Sequence, residues 1–522
     1  MRRALILAIA LVLAAALTAG CTPRPSGRIV YGLTLAPSGI DPHIHASSEL
    51  GIPLTSVYDT LIYKDPMTGD YVPGLAEKWE VSADGLVYTF YLKKGVKFHD
   101  GTPFNAEAVR FNFERITNPD IASQKARFML GPYDRTEVVD EYTVRIVLKE
   151  PFAPLMDSLS QVYLAMASPT AVQKWGKEYQ LHQVGTGPFV FVEYEPGARL
   201  LLRRNPDYAW GPPVYRNKTA RLEEIEFRFF TDPATRSPAL ESGEADVMGE
   251  IPPQDAVRLK ESKDFRIEAV AIPGASLMFF LNSARPPLDD LKVRQALLYG
   301  TDRRAIVSTI FRDTSPVACG PLSAVTFGYD PSVCSFYSYE PERAKMLLEE
   351  AGWKDTDGDG VREKGGQPLA LDVYLMGWGY VPQIGELLAD QWSRLGVRAN
   401  LQMVSYSEAL KIAQENGHHV MPFALFSSDP DILRRFFFSG SNFNWSKVND
   451  PEMDGWLKEA ARVSDRTQRA KLYSQVQQRV MESALVIPIR DYVNLNGVNN
   501  RVQGLRYDAQ GWFPWLIDVS VK

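Results

Sequence analysis

Long apolar runs are almost missing from this chain. Only Ala4–Leu17 is continuously apolar over such a length, and it is short of the ~20 residues a spanning helix needs. Its flanks, Arg2-Arg3 before and Thr18-Ala19-Gly20-Cys21 after, suit a secretory signal, so a bundle of membrane helices is excluded. An excess of positive charge is missing too: 57 Lys and Arg face 63 Asp and Glu, a net charge of −6, which gives no basis for nucleic-acid binding. Cysteine is scarce, with Cys21, Cys319 and Cys334 alone. Histidine is scarce as well: among six, only His43/His45 and His418/His419 are close pairs, and neighbouring histidines on a strand point to opposite faces. There is no Gly-x-Ser-x-Gly, no His-Glu-x-x-His and no Walker loop, so no enzyme class is indicated.

What is present is a long chain of ordinary globular composition, 45% hydrophobic and 23% charged. Its 522 residues exceed one ordinary core, so two or more lobes are expected. Aromatics make up 11%, which supplies core bulk and the walls of clefts. The most informative stretch is 74–115. Asp84-Gly85 separates two extended runs, because Gly tolerates the positive φ of a tight hairpin turn. On the second run Tyr88, Phe90 and Leu92 share one face, and Val87, Thr89 and Tyr91 the other. Neither face is strongly polar, so burial on both is expected. Val96–Phe98 reads as a third extended run, and Asn105 as the N-cap of a helix carrying Val109, Phe113 and Ile116 on one stripe. Further on, β-α-β alternation through 224–247 fits an α/β lobe.

The residues Gly74-Leu75-Ala76, Trp79, Phe90, Leu92, Gly95-Val96-Lys97-Phe98-His99-Asp100-Gly101 and Phe104 stand in order. Followed by Ala106, Val109 and Phe113, they resemble the signature of the family-5 extracellular solute-binding proteins of ABC importers, the dipeptide/oligopeptide/nickel class. The resemblance continues through Asp41-Pro42-His43, Tyr58-Asp59-Thr60-Leu61, Gly185-Thr186-Gly187-Pro188-Phe189 and Asn205-Pro206-Asp207-Tyr208-Ala209-Trp210. Val293-Arg294-Gln295-Ala296-Leu297 and Ile487-Pro488-Ile489 extend it to the end of the chain. It implies an α/β, two-lobed periplasmic-binding-protein-like fold (type II, cluster C), with an extra subdomain in the first lobe and two interlobe crossings. The expected boundaries are a signal peptide at 1–20, a lipidated tether at 21–28, lobe I at 29–271 and 490–522 with the subdomain at about 50–182, and lobe II at 272–489.

Leu17-Thr18-Ala19-Gly20-Cys21 also resembles a bacterial lipoprotein box, which implies cleavage before Cys21 and acylation of its thiol, palmitate included. The implied location is outside the cytoplasm, lipid-anchored to the membrane. The implied partners are a peptide or other small solute, the transmembrane subunits of an ABC permease and the membrane itself; a monomer is expected. An export compartment permits a Cys319–Cys334 disulfide, whose loop would contribute roughly 3 kcal/mol by chain entropy. The alternative is a pair of buried free thiols.

The resemblance implies cleft residues among Ser38, Trp378, Phe426, Ser427, Ser428, Asp429 and Trp445. Peptide-binding members hold the ligand's amino terminus with an acidic residue a few positions before the proline of an Asp-Pro-Asp turn. That turn is here Asp429-Pro430-Asp431, and an ungapped count puts Phe426 at the acidic position, which a ring cannot replace. Sugars or another non-peptide solute are therefore an alternative to peptides, and a sensor or chaperone-like binder without transport is an alternative of another class. No cofactor is expected. Asp355, Asp357, Asp359 and Glu363 have the spacing of a calcium loop, but Gly366 stands where an EF-hand needs a bidentate Glu. A structural calcium ion is weighed against a plain Asp/Gly-rich hairpin.

Overall fold

A computed structural model describes residues 27–37 and 39–522. The signal run, Cys21 and Ser38 lie outside the described residues.

Two sheets organise the molecule. The first has seven strands in the order Phe265–Ala271, Val493–Asn499, Val247–Met248, Arg28–Leu33, Glu224–Phe229, Arg199–Arg204, Phe189–Glu195. Arg28–Leu33 runs parallel to both its neighbours and the other pairings are antiparallel. The second has five: Arg398–Met403, Ala370–Leu375, Val420–Phe423, Leu277–Leu281, Val486–Arg490. Its middle strands, Leu277–Leu281 and Val420–Phe423, are buried at every position, the pattern of a sheet covered on both faces. Each sheet has its own hydrophobic core, so the molecule is two-lobed.

The chain passes from the first sheet to the second through 272–276 and returns through 491–492. The strands on either side of these passages pair with each other, Phe265–Ala271 with Val493–Asn499 and Leu277–Leu281 with Val486–Arg490. The crossings therefore run side by side as one hinge.

A four-stranded antiparallel sheet, Ala76–Val81, Val87–Leu92, Thr143–Leu148 and Tyr133–Asp140, shares the first lobe's core. Its hairpin turns at Gly85, whose φ is +70°, and Asp84 accepts the Leu86 amide at 3.0 Å. Asn105 caps the helix Ala106–Thr117 by accepting the Ala108 amide at 3.1 Å, and Val109, Phe113 and Ile116 are buried under it. Two expectations need correction. Tyr88, Phe90 and Leu92 are buried, but Val87, Thr89 and Tyr91 are only half-buried, because the helix covers one face of this sheet. On the open face the Lys78 ammonium lies 4.1 Å from the Tyr91 ring centre. Val96–Phe98 forms no strand, only a single bridge between Lys97 and Pro103.

Candidate functional site

The space between the lobes is built on the hinge. After Val420–Phe423 the chain pairs with the first crossing: the Ala275 amide donates to the Leu425 carbonyl at 2.9 Å and the Ser427 amide to the Pro273 carbonyl at 3.1 Å. Gly274 makes this approach with φ +126°; a Cβ there would stand 2.5 Å from the Leu425 oxygen. Phe426 is thereby placed at the seam. Its ring stacks on Trp512 with centres 5.5 Å apart, and meets Tyr492 of the second crossing edge-on at 4.8 Å. Lobe II, crossing and lobe I thus each give one ring to an aromatic shelf.

Ser428 and Asp429 have different roles. The Ser428 hydroxyl donates to Asp157 and accepts from Lys64 Nζ at 3.1 Å and Gln510 Nε2 at 2.7 Å. Lys64 also pairs with Asp157 at 2.7 Å, so the subdomain, lobe II and the C-terminal segment meet at one hydroxyl. Asp429 gives both carboxylate oxygens to Arg469, at 2.8 and 3.0 Å, and both side chains are 7% exposed. Burial alone would raise its carboxyl; the Arg469 guanidinium outweighs this and holds it below the usual range. With both oxygens committed, Asp429 is not free to receive a ligand's ammonium. The Ser427 hydroxyl is likewise turned onto its own loop, donating to the Asp429 carbonyl at 3.0 Å.

Trp378 and Trp445 belong to a second aromatic group centred on Phe423, at 6.3 and 5.0 Å from its ring. Tyr406 and Phe443 join it. Trp445 is buried, with 1% exposure, so it backs this wall while half-buried Trp378 edges it. Over Phe443 lies Arg435, 4.0 Å from the ring centre, and it reaches Phe128 of the subdomain at 5.4 Å. Lys125 sits 3.7 Å from the Tyr163 ring centre, and burial, then the Arg435 charge, pushes its ammonium down to about 7.

The remaining candidates lie elsewhere. Cys319 and Cys334 are joined in a disulfide, S–S 2.09 Å. Asp355, Asp357, Asp359 and Glu363 come within 4.8 Å of one another, close enough to share a cation, on an exposed lobe II hairpin. Those carboxylates already accept loop amides, Asp355 from Gly358 at 2.7 Å and Glu363 from Thr356 at 2.9 Å. His43 is buried, donating to the Ala165 carbonyl and accepting from Arg115, while His418 and His419 bond the carbonyls of Trp445 and Pro286.

Several residues at the seam escape sequence reading: Lys64, Asp157, Arg490, Tyr492, Gln510 and Trp512. Arg490 left a local signal, a charge at the end of the apolar run Val486-Ile487-Pro488-Ile489. Trp512 stands in the aromatic cluster Trp512-Phe513-Pro514-Trp515, the remaining four have ordinary neighbours in the sequence, and only the fold brings them together.

Comparison with known proteins bears on what such a site does. The family model described as "Bacterial extracellular solute-binding proteins, family 5 Middle" matches residues 70–445. The dipeptide-binding protein of Escherichia coli is 30% identical over 92% of both chains. Heme-binding protein A of Haemophilus influenzae is 30% identical, over 91% of this chain and 89% of its own. Among solved structures, NikA from Brucella suis in complex with Fe(III)-EDTA has a TM-score of 0.83 at 23% identity, covering 95% of this chain and 100% of its own, a likeness of fold. Proteins of this family bind solutes and catalyse no reaction. With two lobes on a double hinge, an aromatic shelf between them and a match over most of its length, this chain belongs to the bacterial extracellular solute-binding proteins of family 5.

Proposed function

We propose that the chain is the solute-binding lipoprotein of an ABC importer, held at the outer face of a membrane through Cys21, where it captures a peptide-sized solute between its lobes and hands it to the permease. The observation that carries this reading is the shelf of Phe426, Tyr492 and Trp512 at the interlobe seam. Flat rings at a closing hinge grip a solute of mixed polarity while shielding it from water. Closure around the solute would then present a lobe arrangement that the permease recognises.

Peptides are the first reading of the solute, in line with the peptide-binding relatives. A second reading, oligosaccharides or another non-peptide solute, is favoured by Phe426, which offers no charge to a peptide ammonium, and by the commitment of Asp429 to Arg469. The test is a thermal-shift screen of refolded, solute-free protein against short peptides, oligosaccharides and metal chelates. One class is expected to raise the melting temperature, with a gain of about 2.7 kcal/mol at a hundredfold excess over Kd. If no class shifts melting at millimolar concentration, the solute-binding reading fails for this chain.

A further inference from the structure

Four arginines are buried among the described residues: Arg236, Arg294, Arg469 and Arg490. Three are saturated by the protein. Arg469 has the Asp429 carboxylate and the Ala460 carbonyl. Arg236 donates to the carbonyls of Phe230, Glu250, Thr34 and Thr231, and Arg294 to those of Leu288, Asp289 and Ser483. Arg490 differs. It is 5% exposed, forms no ion pair within 4.0 Å among the described residues, and is met only by neutral groups, the Ser315 hydroxyl, to which it donates at a long 3.3 Å, and the Tyr492 side chain. Its Nε has no hydrogen-bond partner. Burying a guanidinium without a counter-charge is strongly unfavourable, so a cation left in this state is incomplete.

Its position says what would complete it. Arg490 ends the last strand of the lobe II sheet and opens the second crossing. Two residues on, Tyr492 belongs to the aromatic shelf. The guanidinium carbon lies 4.3 Å from the Tyr492 ring centre and 4.0 Å from that of Phe311 in lobe II. Rings laid against a guanidinium fix its plane and leave its N–H edges as donors. The two carboxylates whose charge reaches it form no ion pair with it within 4.0 Å. Glu250 accepts from the Tyr492 hydroxyl at 2.6 Å and from Thr34 at 2.7 Å, with Arg236 at 3.8 Å. Asp491 accepts the Ala324 amide at 2.9 Å through one oxygen, while its other, buried oxygen has no hydrogen-bond partner and lies beyond ion-pair distance of Arg490.

We infer that Arg490 is the anion-binding residue of the cleft, and that the solute presents a carboxylate to it. This deepens the proposed function and rests on it. The solute is then recognised by its acid end, as the carboxyl terminus of a short peptide or as a small organic acid, and not by an ammonium at the Phe426 position. A planar guanidinium meets a planar carboxylate edge to edge through two N–H donors, and the low-dielectric seam strengthens the pair.

The test compares acids with their neutral counterparts. Solute-free protein is titrated with peptides of two to five residues as free acids and as C-terminal amides. Further arms hold small mono- and dicarboxylates, their amides, and neutral oligosaccharides. The expected binder is an acid, and its amide binds at least about tenfold more weakly. In Arg490→Met this preference vanishes, while the ligand-free variant melts no lower than the parent, since an uncompensated buried charge has gone. Arg490→Lys, which keeps the charge but loses the planar fork, is expected to keep the preference at reduced affinity. The inference is overturned if acid and amide bind alike, if only neutral sugars bind, or if Arg490→Met still prefers the acid; in each case solute binding itself stands. If no arm binds at all, inference and proposed function fall together. The comparison of acid with amide in the parent protein needs no variant and decides the matter even where a variant fails to fold.

Discussion

Glu49 is buried beneath the first lobe's sheet, 1% exposed, with the amides of Thr34 and Leu35 donating to one oxygen at 2.7 and 3.4 Å. Burial first, and then the Glu250 carboxylate, pushes its carboxyl up to about 7, against those amides. An acid whose folded value lies above its unfolded one binds its proton more tightly in the native state. Its contribution to stability is full below about pH 4.5 and is lost as the pH rises through 7. Glu49→Gln keeps an oxygen for the two amides and removes the charge. The variant is therefore expected to match the parent in urea unfolding at pH 4 and to exceed it at pH 8, by up to about 3 kcal/mol. Equal midpoints of variant and parent at both pH values would show that Glu49 is solvated in the native state. Arg490 poses the same problem with the opposite sign, and there the solute is the expected remedy.

At the scale of elements, the motifs that mark the family serve the scaffold. The segment Gly185–Phe189 lies against the end of the helix Ser48–Val57: a Cβ at Gly185 would stand 2.2 Å from the Val57 oxygen, and one at Gly187 2.6 Å from that of Ser56. Between them Thr186 donates to Asp59 at 2.9 Å, and the same carboxylate receives Tyr63, Tyr208 and Trp210. Three stretches that resemble the family's pattern thus close on one buried carboxylate. Gly187→Ala is expected to destabilise by about 1–3 kcal/mol or more, because the obstacle is backbone and cannot swing away. Denaturant midpoints measure this, and an unchanged midpoint would mean the helix end shifts freely. Such elements were legible because their signals are local: the Asp84-Gly85 turn, the Asn105 cap and the alternation of Tyr88, Phe90 and Leu92 each lie within a few residues. Local signals also misled at Val87, Thr89 and Tyr91, since an apolar side chain does not reveal whether a second layer exists to cover it. The seam was not legible, because Lys64 and Ser428 are 364 residues apart in sequence and no period connects them. In the sequence Phe426 is marked only by its offset from Asp429-Pro430-Asp431, and the rings it stacks on are set by the fold.

For the whole molecule the question is what holds two independently cored lobes together. Each lobe keeps its own hydrophobic cluster, so separating them would expose the seam and little of either core. Across the seam the Ser428 hydroxyl joins Asp157, Lys64 and Gln510, and the Ser428 amide donates to Gln510 at 3.1 Å. Ser428→Ala removes the hydroxyl's three bonds but leaves the Lys64–Asp157 ion pair intact. At about 0.5–1.5 kcal/mol for each bond, closure should weaken by about 2 kcal/mol, roughly thirtyfold in the ratio of closed to open molecules. Melting of the lobes themselves should hardly change. If only the closed form grips solute, the apparent Kd rises with the fraction of molecules left open, up to the same thirtyfold, and mostly through faster release. Small-angle scattering of the ligand-free variant should give a larger radius of gyration than the parent, and saturating solute should restore the compact value. Scattering and affinity both unchanged would remove Ser428 from the closing device and leave closure to the aromatic shelf and the other contacts between lobes, such as the Ala153 amide on the Ala461 carbonyl at 2.7 Å and Arg466 on the Gly69 carbonyl at 2.9 Å. A lower melting temperature with unchanged affinity would place its bonds within the scaffold of one lobe. The double hinge predicts the first pattern, because Ser428 follows the strand Val420–Phe423, which pairs with Leu277–Leu281 beside the first crossing and moves with lobe II, while Lys64, Asp157 and Gln510 move with lobe I.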